Sequence, residues 1–194
     1  MWSIENKCQV AVLKTINFAT CTAITHDDKY VVTGGYGKTV EVLNFKEKTQ
    51  EAILEGNTFW VNTIAITHDN KYVVSGSNDC SITLWNIEEK RQEAVFQGHT
   101  LSVNTVVVTY DNKYIVSGSR DNTVRMWSVE KKRQEAVFQG HTLSVNIVAV
   151  SYDNKYVVSG GSDKTVILWN IEKKTTRNCI VRPYITSKYC YSCS

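Results

Sequence analysis

The sequence predicts an all-β chain in which four repeats of 42 residues, each a four-stranded antiparallel blade, form a partial (open) propeller arc. Three observations predict it. Gly34, Gly76, Gly118 and Gly160 recur at a step of 42, each behind a Tyr-Val/Ile-Val-Ser/Thr run. Trp85, Trp127 and Trp169 keep the same step, as do Asp79, Asp121 and Asp163. The segment from Lys90 to Asn104, KRQEAVFQGHTLSVN, recurs letter for letter from Lys132 to Asn146. A fixed period of roughly 40–45 residues is the mark of a propeller array, in which each unit covers its apolar face with the next.

Taken in order, residues 2–13, WSIENKCQVAVL, match Trp85–Phe96 in pattern, so residues 1–13 are expected to be the end strands of a preceding blade. The repeats then span 14–55 (degenerate), 56–97, 98–139 and 140–181, followed by an irregular Cys-containing tail at 182–194. The third repeat shows the pattern best. An alternating strand, Thr105–Thr109, leads to the polar turn Tyr110–Lys113, and a second strand, Tyr114–Ser119, reaches a tight turn at Arg120-Asp121-Asn122. A third strand, Thr123–Val129, and a fourth, Glu135–Gln139, complete the unit. These short runs are rich in Val, Ile, Thr and Tyr, are bounded by Asp, Asn, Lys and Gly, and carry no helical period. In the last repeat the run TTRNCIV is expected to supply the outer strand, and the chain's one proline, Pro183, lies beyond it.

A hydrophobic share of 42% allows a packed core. The 22 basic and 19 acidic residues leave a net charge of +3, and the largest basic clusters are Lys131–Arg133 and Lys173–Lys174, so there is no electrostatic case for nucleic acid. No apolar run is long enough to span a membrane. The opening residues MWSIENKCQV carry Glu and Asn where a signal peptide is apolar. Six cysteines without such a signal read as reduced thiols, which makes the cytoplasm, or the nucleus, the expected compartment.

At Gly98-His99, Ser117, Asp121 and Trp127, and again at Gly140-His141, Ser159, Asp163 and Trp169, the chain resembles the WD-repeat β-propeller family. The resemblance covers about residues 2–181. It implies two hydrogen-bonded tetrads, His99–Ser117–Asp121–Trp127 and His141–Ser159–Asp163–Trp169, that tie the strands of a blade together. The residue types suit this: Trp only donates, Ser and imidazole do both, and an ionised Asp only accepts. The departures are informative. Unit two has Asn57 where His would sit, with Ser75, Asp79 and Trp85 retained. Unit one has Thr15, Thr33, Gly37 and Leu43, so only the Thr33 hydroxyl is expected to survive there, and stability should be weakest at the N-terminal end. Asn86, Ser128 and Asn170 follow the Trp in place of the family's Asp. Family propellers usually have seven blades and close by pairing the chain ends. Four units and two end pieces leave three readings: two or more chains complete a ring, as in a homodimer, four blades close alone, or the chain is a truncated fragment of a larger WD-repeat protein without independent function.

The convergence of His, Ser and Asp invites a hydrolase reading. Recurrence at period 42 together with a Trp marks a fold staple instead, because a triad needs an exposed nucleophile and an oxyanion hole. No catalytic residue and no cofactor is expected. His26 and His68 give way to Tyr110 and Tyr152 in later units, which argues against a metal. The lone C-x-x-C at Cys190–Cys193, with Cys179 before it, is the alternative: a thiol or metal activity. The resemblance also implies a partner-binding rim. It consists of Phe18, Thr20 and Tyr36 in unit one, Trp60, Asn62 and Asn78 in unit two, Ser102, Asn104 and Arg120 in unit three, and Ser144, Asn146 and Ser162 in unit four. The expected function is a non-catalytic protein–protein interaction scaffold that binds a peptide or protein on this rim and engages neither nucleic acid nor membrane.

Overall fold

β-branched and aromatic residues in period-2 runs, stopped by polar turns, leave the chain little choice but short strands. A computed structural model describes residues 2–3, 8–9, 12–173 and 175–177, and all regular structure among them is strand. A short antiparallel hairpin, β1 (Trp2–Ser3) and β2 (Cys8–Gln9), comes first. The first meander holds β3 (Ala19–Ile24), β4 (Tyr30–Gly35), β5 (Thr39–Asn44) and β6 (Thr49–Glu55). The second holds β7 (Val61–Ile66), β8 (Tyr72–Ser77), β9 (Ile82–Asn86) and β10 (Arg91–Phe96). β11 (Val103–Val108), β12 (Tyr114–Ser119), β13 (Thr123–Ser128) and β14 (Arg133–Gln139) make the third. The fourth holds β15 (Val145–Val150), β16 (Tyr156–Gly161), β17 (Val166–Asn170) and β18 (Thr175–Arg177). Each meander is one antiparallel sheet with its strands in chain order.

β11 starts at Val103, two residues before the alternation in the sequence begins. The cause is a bulge: Val103 pairs with Ser119 and Thr105 with Gly118, leaving Asn104 unpaired between them. The same shift occurs at Thr20, Asn62 and Asn146. A bulge breaks the period and re-aims one side chain. Here Thr20 Oγ1 donates to Val61 O at 3.1 Å, Asn62 Nδ2 to Val103 O at 3.0 Å and Asn104 Nδ2 to Val145 O at 2.8 Å, so these three bulge residues reach the next blade.

The core lies between blades. Val32, Val40, Val42 and Leu54 of the first blade pack on Val61, Val73, Trp85 and Ile87 of the second. Val74, Ile82, Leu84 and Phe96 then meet Val103, Val106, Ile115 and Trp127, and Val116, Val124, Met126 and Phe138 meet Val145, Val148, Val157 and Trp169. Each such fully buried apolar side chain contributes about 1.5–3 kcal/mol. The recurring glycine is explained by this approach. A Cβ on Gly34, Gly76 or Gly118 would lie 2.7, 2.7 or 2.6 Å from the Cγ1 of Val61, Val103 or Val145 in the following blade. Polar ties run alongside. Asn70, Asn112 and Asn154, all at left-handed φ near 60°, accept the backbone N–H of His26, His68 and Tyr110 in the preceding blade at 2.6–2.7 Å.

Innermost strands pack in succession, β3 on β7, β7 on β11 and β11 on β15, and among the described residues no comparable packing joins β15 to β3. The far face of the fourth blade bears this out. Val158 is 37% and Val166 44% exposed, whereas their equivalents Val116 and Val124 are fully buried. The arrangement is an open arc.

Candidate functional site

In the third blade, Trp127 Nε1–H donates to Ser117 Oγ at 2.9 Å, Ser117 Oγ lies 2.8 Å from His99 Nε2, and His99 Nδ1 lies 2.7 Å from Asp121 Oδ2. Because the carboxylate can only accept, the proton of the neutral imidazole sits on Nδ1 facing Asp121, and Nε2 accepts the Ser117 hydroxyl while the Ser117 oxygen accepts from the indole. Asp121 also accepts the Thr100 N–H at 3.1 Å, the Thr123 N–H at 3.0 Å and the Thr123 hydroxyl at 2.6 Å. The fourth blade repeats the chain through Trp169, Ser159, His141 and Asp163 at 2.7, 2.8 and 2.8 Å. Burial pushes the His99 imidazole below its ordinary value, against the pull of Asp121, and so keeps it neutral. Burial raises the Asp121 carboxyl, but hydrogen bonds from Thr123 and His99 outweigh it and hold the group below the usual carboxylate range. Asp163 shifts the same way against the same burial, through Thr165, Thr142 and His141. Ser117 and Ser159 are fully buried inside these chains.

The second blade keeps the Trp85–Ser75 bond at 2.8 Å, and Asp79 accepts the Thr58 N–H at 2.8 Å and the Ser81 N–H at 2.9 Å. Asn57 completes the network only in part. Its Oδ1 accepts the Ser75 hydroxyl at 3.3 Å and the Thr83 hydroxyl at 3.5 Å, and its Nδ2 is buried without a partner among the described residues. The first blade departs from the expectation that only the Thr33 hydroxyl remains. The carboxylate of buried Glu41 on β5 accepts the N–H groups of Ile16 and Asn17 at 3.1 and 3.2 Å, doing for this loop what Asp79, Asp121 and Asp163 do for theirs. Glu41 occupies a place where the other repeats have Thr83, Arg125 and Ile167, so no motif position announces it.

At the end of the arc where each second-to-third-strand turn meets the loop entering the blade, the rim residues pair by backbone bonds. Tyr36 N–H donates to Phe18 O at 3.2 Å, Asn78 to Trp60 O at 2.9 Å, Arg120 to Ser102 O at 3.0 Å and Ser162 to Ser144 O at 2.8 Å. Phe18 is 81%, Tyr36 54%, Phe59 45% and Trp60 41% exposed. Tyr36 meets Trp60 edge-on with centroids 4.7 Å apart, and Phe59 lies 5.1 Å from Trp60. Phe59 was not among the expected rim residues. Its signal is in the repeat, since Leu101 and Leu143 hold the same place and are also exposed. Some of the expected rim groups are spent on bonds to the next blade. Thr20, Asn62 and Asn104 are committed to the joints between blades, and Asn62 also bonds Asn78 Oδ1 at 2.7 Å. Asn146, with no following blade among the described residues, donates to Ser162 Oγ at 3.0 Å.

At the opposite end, His26, His68, Tyr110 and Tyr152 stack as a ladder with centroid spacings of 4.7, 4.7 and 4.9 Å. No group of three or more metal-ligating side chains occurs among the described residues. Cys179 and the Cys190–Cys193 pair lie outside them. Of the cysteines inside, Cys21 and Cys80 are free, and burial pushes the Cys21 thiol up to about 11.

The family model for the WD domain, G-beta repeat, matches residues 48–86, 90–128 and 132–170. Each match runs from a blade's outer strand to the Trp-bearing strand of the next, and so spans one packed joint. Strands β3–β5, where the motif residues are replaced, fall outside the matches. No curated protein matches the chain.

Proposed function

Because the chain belongs to the WD-repeat family, whose domains generally mediate protein–protein contact, we propose that it is a non-catalytic scaffold binding a peptide or protein on the rim of its blade array. The observation that carries this reading is the exposed aromatic cluster of Tyr36, Phe59 and Trp60, with Phe18 beside it. Large rings with few rotatable bonds give much contact area at low ordering cost, and Trp, Tyr and Arg dominate binding hot spots. Backbone bonds from the adjoining turns hold these loops in place before any partner arrives. The His–Ser–Asp sets serve the fold in this reading, with the serine hydroxyls enclosed. The cytoplasm or nucleus is the compartment it assumes.

Partner capture by the purified chain, compared among wild type, Trp60→Ala, Tyr36→Ala and Tyr152→Ala, tests it. Loss of at least about tenfold in the first two, with Tyr152→Ala unchanged, is the expected outcome. Equal capture by all four would overturn the rim reading. The proposal extends to self-association. The exposed Val158 and Val166 face is the one that, in every internal joint, packs on the next blade's Trp-bearing face, and a second copy is the partner proposed to cover it.

A further inference from the structure

We infer that the rim takes an acidic peptide segment that carries aromatic or large aliphatic anchors, an inference that rests on the rim reading above. The charges at this end of the arc are sorted. The carboxylates of its turns, Asp79, Asp121 and Asp163, are turned into the blades and filled by backbone, hydroxyl and imidazole donors, which leaves Glu55 at the end of β6 as the exposed acid of the first blade at this end. The side chains of Asp121 and Asp163 are only 4% and 5% exposed. The cations of the same turns, Lys38, Arg120 and Lys164, make no ion pair among the described residues. At the opposite end two of the four comparable lysines are ion-paired, Lys113 with Asp111 at 3.4 Å and Lys155 with Asp153 at 3.9 Å, and the other two, Lys29 and Lys71, lie over the rings of Tyr30 and Tyr72. A chain with nearly balanced charge thus presents turns whose outward-facing charges are positive, with Glu55 the exception on the first blade.

The apolar groups on the rim are interleaved with these cations. Tyr36 and Trp60 stand on the first two blades beside Lys38, Leu101 stands in the loop that bonds the Arg120 turn, and Leu143 in the loop that bonds the Lys164 turn. An extended segment lying along the arc would meet ring or aliphatic surface and then a cation, blade after blade. The guanidinium of Arg120 suits a carboxylate, which it can grip with two parallel N–H bonds. Such charge complementarity sets the rate of encounter and the choice of partner. Single-stranded nucleic acid would also bring anions and flat rings, but it needs a dense basic track along its backbone, and here the cations come one per blade with a gap at the second.

The test is selection from a displayed random short-peptide library on the full chain, with clones re-measured against Trp60→Ala and Arg120→Glu. Arg120 is exposed and holds its turn through its backbone N–H, so the charge reversal leaves the fold intact. Clones rich in Asp or Glu with Phe, Trp, Leu or Met, weakened by both variants and by added salt, are the expected result. Clones that depend on Trp60 but are neutral or basic would overturn the inference and leave the rim reading standing. Clones indifferent to Trp60 would overturn both. An oligothymidylate bound more tightly than any clone, and lost in Arg120→Glu, would assign the surface to nucleic acid and overturn the acidic-peptide assignment.

Discussion

Asn57 occupies a place built for an imidazole. Its Nδ2 is buried with nothing to donate to among the described residues, while Asp79 and Ser75 already stand where Asp121 and Ser117 grip His99. Asn57→His is therefore expected to stabilise the chain by about 1 kcal/mol, read as a higher urea midpoint; a lower midpoint would show that the second blade has closed around the amide. The tetrads also set the response to acid. His99 is held below its ordinary 6.5, so the unfolded chain binds the proton first, and the stability from the neutral ring is whole above pH 6.5 and lost as pH falls through the folded-state value. Asp79 and Asp121, held below 3.8, add a second loss at still lower pH. Thermal midpoints of wild type and His99→Gln across this range check it. The wild-type curve should fall more steeply below pH 6.5, and parallel curves would contradict the assignment.

Among elements, the glycine that ends each second strand takes its meaning from the neighbouring blade. Gly118→Ala drives a methyl to within 2.6 Å of Val145 and is expected to cost about 1–3 kcal/mol. At Gly160 the nearest atom to a Cβ is Ile147 Cγ2 of its own blade at 3.1 Å, and Ile147 is exposed and able to shift, so Gly160→Ala should be near neutral. Equal losses in urea unfolding would mean that something covers the fourth blade as the fourth covers the third. The period of 42 made the strands, the turns and the Trp–Ser–His–Asp positions legible, because the same solution was written several times. What was not legible occurs once or breaks the alternation. Glu41 rescues a loop from a position with no counterpart, the bulges at Thr20, Asn62 and Asn104 turn expected rim groups into blade ties, and Phe59 matters through its ring contact with Trp60.

For the whole molecule, the stacking that makes each joint stable leaves one apolar face at the fourth blade with Val158 and Val166 in solvent. Contiguous apolar surface of this kind promotes association. Light scattering on a size-exclusion column should show mass rising with concentration, and Val166→Lys should suppress the rise; a monomer at all concentrations would remove the second copy from the account. The central claim is a division of labour between buried staples and an exposed rim. It is tested most directly by measuring, on the same preparations of Trp60→Ala and Ser117→Ala, both the urea midpoint and the affinity for one rim-binding peptide. The account predicts opposite outcomes. Trp60→Ala should keep its midpoint and lose binding by about tenfold or more. Ser117→Ala, with Trp127 Nε1–H and His99 Nε2 left unpaired, should lose about 1–3 kcal/mol of stability and still bind while folded. Binding retained in Trp60→Ala, or abolished in folded Ser117→Ala, would contradict it.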